Sequence, residues 1–290
     1  MRIVFQQADL DTCLTALLVG VGDDELRAVT GDASPDDLAD PSVVCIEAGG
    51  SGRTDLGNFD HHGIGAPVEP ACVQALAALA HVAEPSDHLR RLVRYVADVD
   101  GGRLGAPPLV TEHVMTLSSV FSGMRLCTPE PVAQLRAGLT ILREVLRRDF
   151  NPAGPLPELP EWRTYFERKR QEWNGISSVR GRIDRFITAG RIQAGFLETD
   201  FVGALGLLYD EGCEVAIAYS PRYQSPSGIG PVPKYSIGCR AGLRVDGLLA
   251  ALTALEIGWG GPSHGTIIGS PRTGTGLSPE QIRRIVISGS

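Results

Sequence analysis

The chain has 290 residues, 43% of them hydrophobic, with 34 acidic against 27 basic side chains for a formal net charge of −7, which is apolar material enough for one large core or, as expected at this length, two smaller ones. The negative balance argues against gripping long double-stranded nucleic acid by counterion displacement and favours a small anionic substrate in a local pocket. No apolar run reaches bilayer length, and Met1-Arg2 leads into Ile3-Val4-Phe5 and then polar and acidic residues, unlike a secretory signal, so a cytoplasmic protein without membrane association is expected.

Arg2 to Phe5 reads as a strand, Asp11 to Val21 as a helix, and Ser42 to Ile46 as a buried strand. A turn over Asn58 to Gly63 comes next, then helices from Ala71 to Val82 and from Ser86 to about Val96. Strands alternating with helices predict a mostly parallel sheet with helices on both faces, where ligands gather at the carboxyl ends of the strands. Thr128-Pro129 reads as the start of a helix carried by Val132, Leu135, Leu139, Leu142 and Val145. The four prolines between Asn151 and Pro160 mark a linker. The charged helix from Glu161 to Ser177 carries Trp162, Phe166 and Trp173 on one stripe, expected to pack between domains.

Beyond it, Ile183 to Thr188 and Arg191 to Leu197 flank Ala189-Gly190 as a hairpin, and Val215 to Tyr219 and Lys234 to Cys239 are further strands. Ser220 to Pro226 reads as a mobile loop in which Arg222 adds a basic contact. Val245 to Ile257 is a helix, and Ser278 with Gln281 three residues later marks the start of the last one. The fold class is therefore α/β: an N-terminal domain over 1–150, linker helices over 151–181 and a smaller C-terminal α/β domain over 182–290. Six cysteines scattered without a C-x-x-C pair read as buried thiols.

Several polar groups lie just past strands or fall in turns. Asp9 and Asp11 come after the first strand, Asp60, His61 and His62 fall in the next turn region, and Asp98 ends Arg94 to Ala97 with Asp100 two residues on. Carboxylates and imidazoles in such places make an oxygen-rich donor set for Mn²⁺ or Mg²⁺. Taken singly, Asp-x-Asp after a strand is a helix cap beside a solvated acid, and an Asp beside Gly101-Gly102 is a turn residue.

Asp9-Leu10-Asp11, Val43 to Glu47, Asn58 to Gly63 and Val96-Ala97-Asp98, in that order, resemble the DHH superfamily of phosphoesterases. Lys234 to Arg240, Gly260-Gly261-Pro262-Ser263-His264 and Gly269 resemble its C-terminal DHH-associated substrate domain. The resemblance implies a metal-dependent phosphohydrolase acting on a small nucleotide, a short oligonucleotide or another phosphorylated small molecule, with its active-site cleft between the domains. One or two Mn²⁺ or Mg²⁺ ions are implied, with Asp9, Glu47, Asp11, His61 and Asp98 as ligands, His62 on the phosphate, and Asp60 orienting the imidazoles. Arg240, Gly260, Gly261, Ser263 and His264 would bind substrate, and a homodimer is in keeping with the family. Two positions depart from the pattern: Phe5 stands where many members carry His, and Glu47 where they carry Asp. The alternative reading is a nucleotide-binding sensor or subunit of the same fold with impaired catalysis.

Overall fold

The computed structural model describes residues 1–22, 25–62, 69–81, 84–101, 114–224, 230–240, 243, 246–260, 266–271 and 273–289. Among them, residues up to Lys169 form one compact unit and those from Arg170 onward a second. No helix among the described residues is long and apolar enough to cross a membrane.

In the first unit, β1 (Arg2–Phe5), β2 (Glu25–Ala28), β3 (Val43–Ile46) and β4 (Asn58–Phe59) form a wholly parallel sheet in the order β2-β1-β3-β4. Alternate side chains of a strand face opposite sides. Val4, Val43 and Cys45 accordingly pack with Leu38 of α2 (Pro35–Ala39), while Ile3, Phe5 and Ile46 are fully buried on the other face. The helix α1 (Leu10–Leu18) contacts α3 (Ala71–Ala80), α4 (Asp87–Asp100) and α6 (Pro131–Arg147). Its approach to α6 is close enough to require glycine: a Cβ at Gly138 would lie 2.5 Å from Cys13 Sγ, an overlap that a packed core cannot absorb without shifting.

Two helix ends depart from the sequence reading. The helix expected to stop near Val96 continues to Asp100, with Ser86 Oγ capping its start by accepting the Leu89 N–H. Thr128-Pro129 lies before α6 and not in it; Glu130 is the cap, its carboxylate accepting the N–H groups of Val132 and Ala133 at 2.9 and 2.6 Å. The negative side chain there complements the helix dipole and satisfies two otherwise unpaired donors. The helix α5 (Leu117–Cys127), between them, has no counterpart in the sequence reading.

In the second unit, β5 (Asp184–Ile187), β6 (Gln193–Glu198), β7 (Val215–Tyr223), β8 (Val232–Cys239) and β9 (Ile267–Gly269) form a mixed sheet in chain order. Only β6 and β7 run parallel, joined through α8 (Ala204–Asp210). One core places Val215, Ile217, Tyr235 and Ile237 with Leu248 and Leu252 of α9 (Asp246–Leu255) and Ile282 and Val286 of α10 (Pro279–Gly289). A second places Leu197 and Ala216 with Leu207 and Leu208 of α8 and with Ile176 of α7 (Arg163–Ser178). The start of α10 forms the reciprocal cap expected from Ser278 and Gln281.

The stretch Ser220 to Tyr223, read as loop, belongs instead to β7. The strand is irregular between Ser220 and Tyr223, where Pro221, lacking an N–H, cannot donate to the ladder. Arg222, expected to serve a ligand, sits 3.4 Å from Asp200 Oδ2.

Candidate metal centre

The registers Phe5↔Ile46 and Ile46↔Phe59 end β1, β3 and β4 level. Three segments therefore emerge at one edge of the sheet: Asp9 to Thr12 after β1, Glu47 after β3, and Asp60 to His62 after β4. Glu47 carries the ladder one step further, its N–H donating to Phe59 O at 2.8 Å. Its φ of +48° is left-handed, a conformation that costs a residue with a Cβ roughly 1–2 kcal/mol.

His61 Nε2 is the point on which the carboxylates converge. It lies 3.0 Å from Glu47 Oε1, 3.4 Å from Asp100 Oδ2 and 4.0 Å from Asp11 Oδ2. Asp11 and Glu47 are buried, and Asp100 is half-buried. Asp11 also terminates α3: its Oδ2 accepts the Ala71 N–H and its Oδ1 the Cys72 N–H, each at 2.8 Å. Burial, then the neighbouring Glu47 carboxylate, pushes the Asp11 carboxyl up to about 7. Burial, then Asp9, holds Glu47 well above the ordinary carboxylate range, against the lowering effect of the hydrogen bond from Thr12.

Asp60 is buried on the opposite side of the turn. Its Oδ2 accepts the Gly49 N–H at 2.7 Å; its Oδ1 accepts the His62 N–H at 2.7 Å and lies 3.1 Å from His62 Nδ1. Burial disfavours its charge, but these donors outweigh it and hold the carboxyl below its usual range. The same contact raises the His62 imidazole to about 9. Gln74 of α3 ties the turn down, its Nε2 donating to Asp60 O at 2.9 Å and to Glu69 O at 2.6 Å.

The donor chemistry fits one divalent cation. The ligand atoms of Asp11, Glu47, His61 and Asp100 all lie within 4.8 Å of one another. Around an ion with ligands at about 2.1 Å, neighbouring donors sit about 3.0 Å apart and opposite ones about 4.2 Å, close to the separations seen from His61 Nε2. Ionised carboxylates about 4 Å apart repel by about 4 kcal/mol per pair at an effective dielectric of 20, a cost a dication removes. A second grouping, Glu47, His61 and His62, shares two members with the first.

The residues singled out in the sequence separate into three sets. Asp11, Glu47 and His61 meet, with Asp60 and His62 beside them. Asp9 is the cap of α1, accepting the Thr12 N–H at 3.0 Å, and Asp98 belongs to neither grouping. Asp100 takes part where Asp98 was expected, because two residues along a helix turn a side chain by about 200°. The helical spacing held the signal: one and two turns before Asp100 stand Val96 and Val93, both buried, whereas Arg94 and Arg91 precede Asp98 and are exposed. Phe5 is 0% exposed and belongs to the core.

In the second unit, Arg240 is exposed and donates from Nη2 to Tyr209 O. Gly260 exchanges backbone hydrogen bonds with Gly269, and a Cβ built on it would meet nothing within 4 Å. Gly63, Gly261, Ser263 and His264 lie outside the described residues. The six cysteines are free thiols, all buried except the half-buried Cys127.

The fold described above is shared with a protein of known structure. A solved structure with this fold is that of PggH, a pGpG-specific phosphodiesterase from Vibrio cholerae. It superposes with a TM-score of 0.60 at 10% identity, over 98% of this chain and 96% of that one. The DHH domain of a member of a ribosomal-protein family covers 98% of this chain and 85% of its own at 12% identity, with a TM-score of 0.42. No protein-family model and no curated protein matches the sequence.

Proposed function

We propose that the chain is a metal-dependent phosphohydrolase acting on a small phosphorylated nucleotide or short oligonucleotide, with Mn²⁺ or Mg²⁺ held by Asp11, Glu47, His61 and Asp100. The observation that carries this reading is the convergence of three carboxylates on His61 Nε2 at the carboxyl ends of parallel strands. A divalent cation there supplies a water of lowered pKa and neutralises charge on the phosphoryl oxygens. His62 remains protonated to about pH 9, and with Nδ1 committed to Asp60 it offers Nε2–H as a charge-assisted donor to a phosphate oxygen. Asp60 fixes the orientation of that ring.

From the C-terminal part, Arg240, Gly260, Gly261, Ser263 and His264 are the proposed substrate contacts, with the Arg240 guanidinium matching a phosphate. The likeness in fold to a pGpG-specific phosphodiesterase puts linear dinucleotides first among substrates to try. The net charge of −7 supports a small substrate over a long polymer. A cytoplasmic location and a homodimer belong to the same reading.

One observation favours a nucleotide binder without hydrolysis: Phe5, wholly buried, can ligate nothing at the position where the family pattern has His. Metal-stripped protein incubated with Mn²⁺ and a panel of dinucleotides, other phosphodiesters, pyrophosphate and polyphosphate separates the two. The hydrolase reading expects turnover of at least one substrate that His61→Ala abolishes. Nucleotide binding with no turnover across the panel would establish the binder instead.

A further inference from the structure

We infer that Thr12 restricts this centre to a single cation and sets the affinity for it by holding one oxygen of Glu47; the inference rests on the metal reading above. Thr12 is fully buried at the third position of α1. Its backbone N–H donates to Asp9 Oδ1 at 3.0 Å, and its hydroxyl donates to Glu47 Oε2 at 2.7 Å. One residue thus engages both acids beside the centre, Asp9 through its backbone and Glu47 through its side chain. Glu47 is left presenting Oε1 alone, 3.0 Å from His61 Nε2.

Paired ions in hydrolytic sites stand about 3.5–4 Å apart and need a carboxylate that reaches both, together with outer ligands for each. Here one Glu47 oxygen is oriented by the buried Thr12 hydroxyl and one Asp9 oxygen by the helix start, so neither carboxylate turns freely between two ions. Phe5, whose strand ends beside them, is 0% exposed and has no donor atom. The grouping of Glu47 and His61 with His62 supplies no independent second site, because it draws on the same two residues. Thr12 is a positioning residue: a second hydrogen-bonding partner that fixes a ligand's orientation is worth about 10–100-fold in metal affinity.

The test is a Mn²⁺ titration of metal-stripped full-length protein by calorimetry, with electron paramagnetic resonance on the loaded sample, for wild type, Thr12→Val and Thr12→Ser. Wild type is expected to bind one Mn²⁺ and to give the six-line spectrum of an isolated ion. Thr12→Val keeps the N–H that holds Asp9 and the side-chain volume, and is expected to lose about tenfold or more in affinity; Thr12→Ser is expected to restore it. Unfolding curves without metal confirm that both variants fold, and a variant that does not is replaced by Thr12→Ala. Two ions with a spin-coupled spectrum would overturn the inference and leave the phosphohydrolase reading standing. One ion without hydrolysis of any substrate would overturn that reading and leave the inference standing. Absence of Mn²⁺ binding would overturn both, and equal affinity in wild type and Thr12→Val would remove Thr12 from its assigned role.

Discussion

Asp60 holds His62 twice, its Oδ1 accepting the backbone N–H at 2.7 Å and lying 3.1 Å from ring Nδ1. The imidazole pKa is thereby raised from 6.5 to about 9, so the stabilisation from the pair is complete below pH 6.5 and lost as pH rises through about 9. Because the ring is 56% exposed, the contribution is discounted for solvent screening to about 1 kcal/mol. His62→Gln should therefore be about 1 kcal/mol less stable than wild type at pH 6 and equal to it at pH 10. Imidazole NMR should show the His62 titration fall by about 1 to 2 pH units in Asp60→Asn. An unmoved titration would mean that Asp60 is not what holds the proton.

Asp11 titrates in the same sense over a lower pH range. Its carboxyl is raised from 3.8 to about 7, so the folded protein binds that proton more tightly than the unfolded chain does. Metal-free stability then falls as pH rises from about 4 to about 7 and is level above. A cation must displace the proton, so Mn²⁺ should bind about tenfold more weakly at pH 6 than at pH 8, with protons released on binding at the lower pH. Calorimetry in two buffers of different ionisation enthalpy measures both quantities. A dissociation constant flat between pH 6 and 8 would show the carboxyl to be ionised already.

The two acids at the end of α4 should behave differently. Asp100→Asn removes a carboxylate oxygen 3.4 Å from His61 Nε2 and is expected to weaken Mn²⁺ binding by about 10-fold or more, the loss a metal site shows when its ligand sphere is disturbed. Asp98→Asn should change the affinity less than about twofold, since on this helix it lies about 200° away. The reverse order of effects would return the ligand role to Asp98.

That pair also shows how far the sequence carries. The short apolar runs at Arg2–Phe5 and Val43–Ile46 identify two buried strands, because a strand covered on both faces has no polar side to display. Asp11 and His61 were legible from their places beyond strand ends, and Glu47 from the resemblance to the DHH phosphoesterases. The edge strand Glu25–Ala28, with its alternating exposed and half-buried positions, has no apolar run to announce it, and α2 is only five residues long. Thr12 was invisible for another reason. Nothing in its identity or spacing says that a hydroxyl in a helix's first turn meets a carboxylate 35 residues away; only the level ends of β1 and β3 bring them together.

Glu47→Gln tests whether the centre is held at a cost to stability. The carboxylate is buried beside Asp11 and Asp100 with a left-handed backbone, and its pKa lies well above its ordinary 4.5. As pH rises above 4.5 the unfolded chain gives up this proton more readily than the folded one, so the carboxyl draws stability down progressively. Gln has the same length, keeps an oxygen that can accept from Thr12, and carries no charge. Metal-free Glu47→Gln should match wild type at pH 4.5 and exceed it in stability at pH 8, read from urea unfolding at the two pH values. Its Mn²⁺ affinity should fall by about tenfold or more, because the anionic oxygen nearest His61 Nε2 is gone. A Gln variant less stable than wild type at pH 8 would mean that the Glu47 charge is already compensated in the metal-free protein, and that the three carboxylates do not need a cation to coexist.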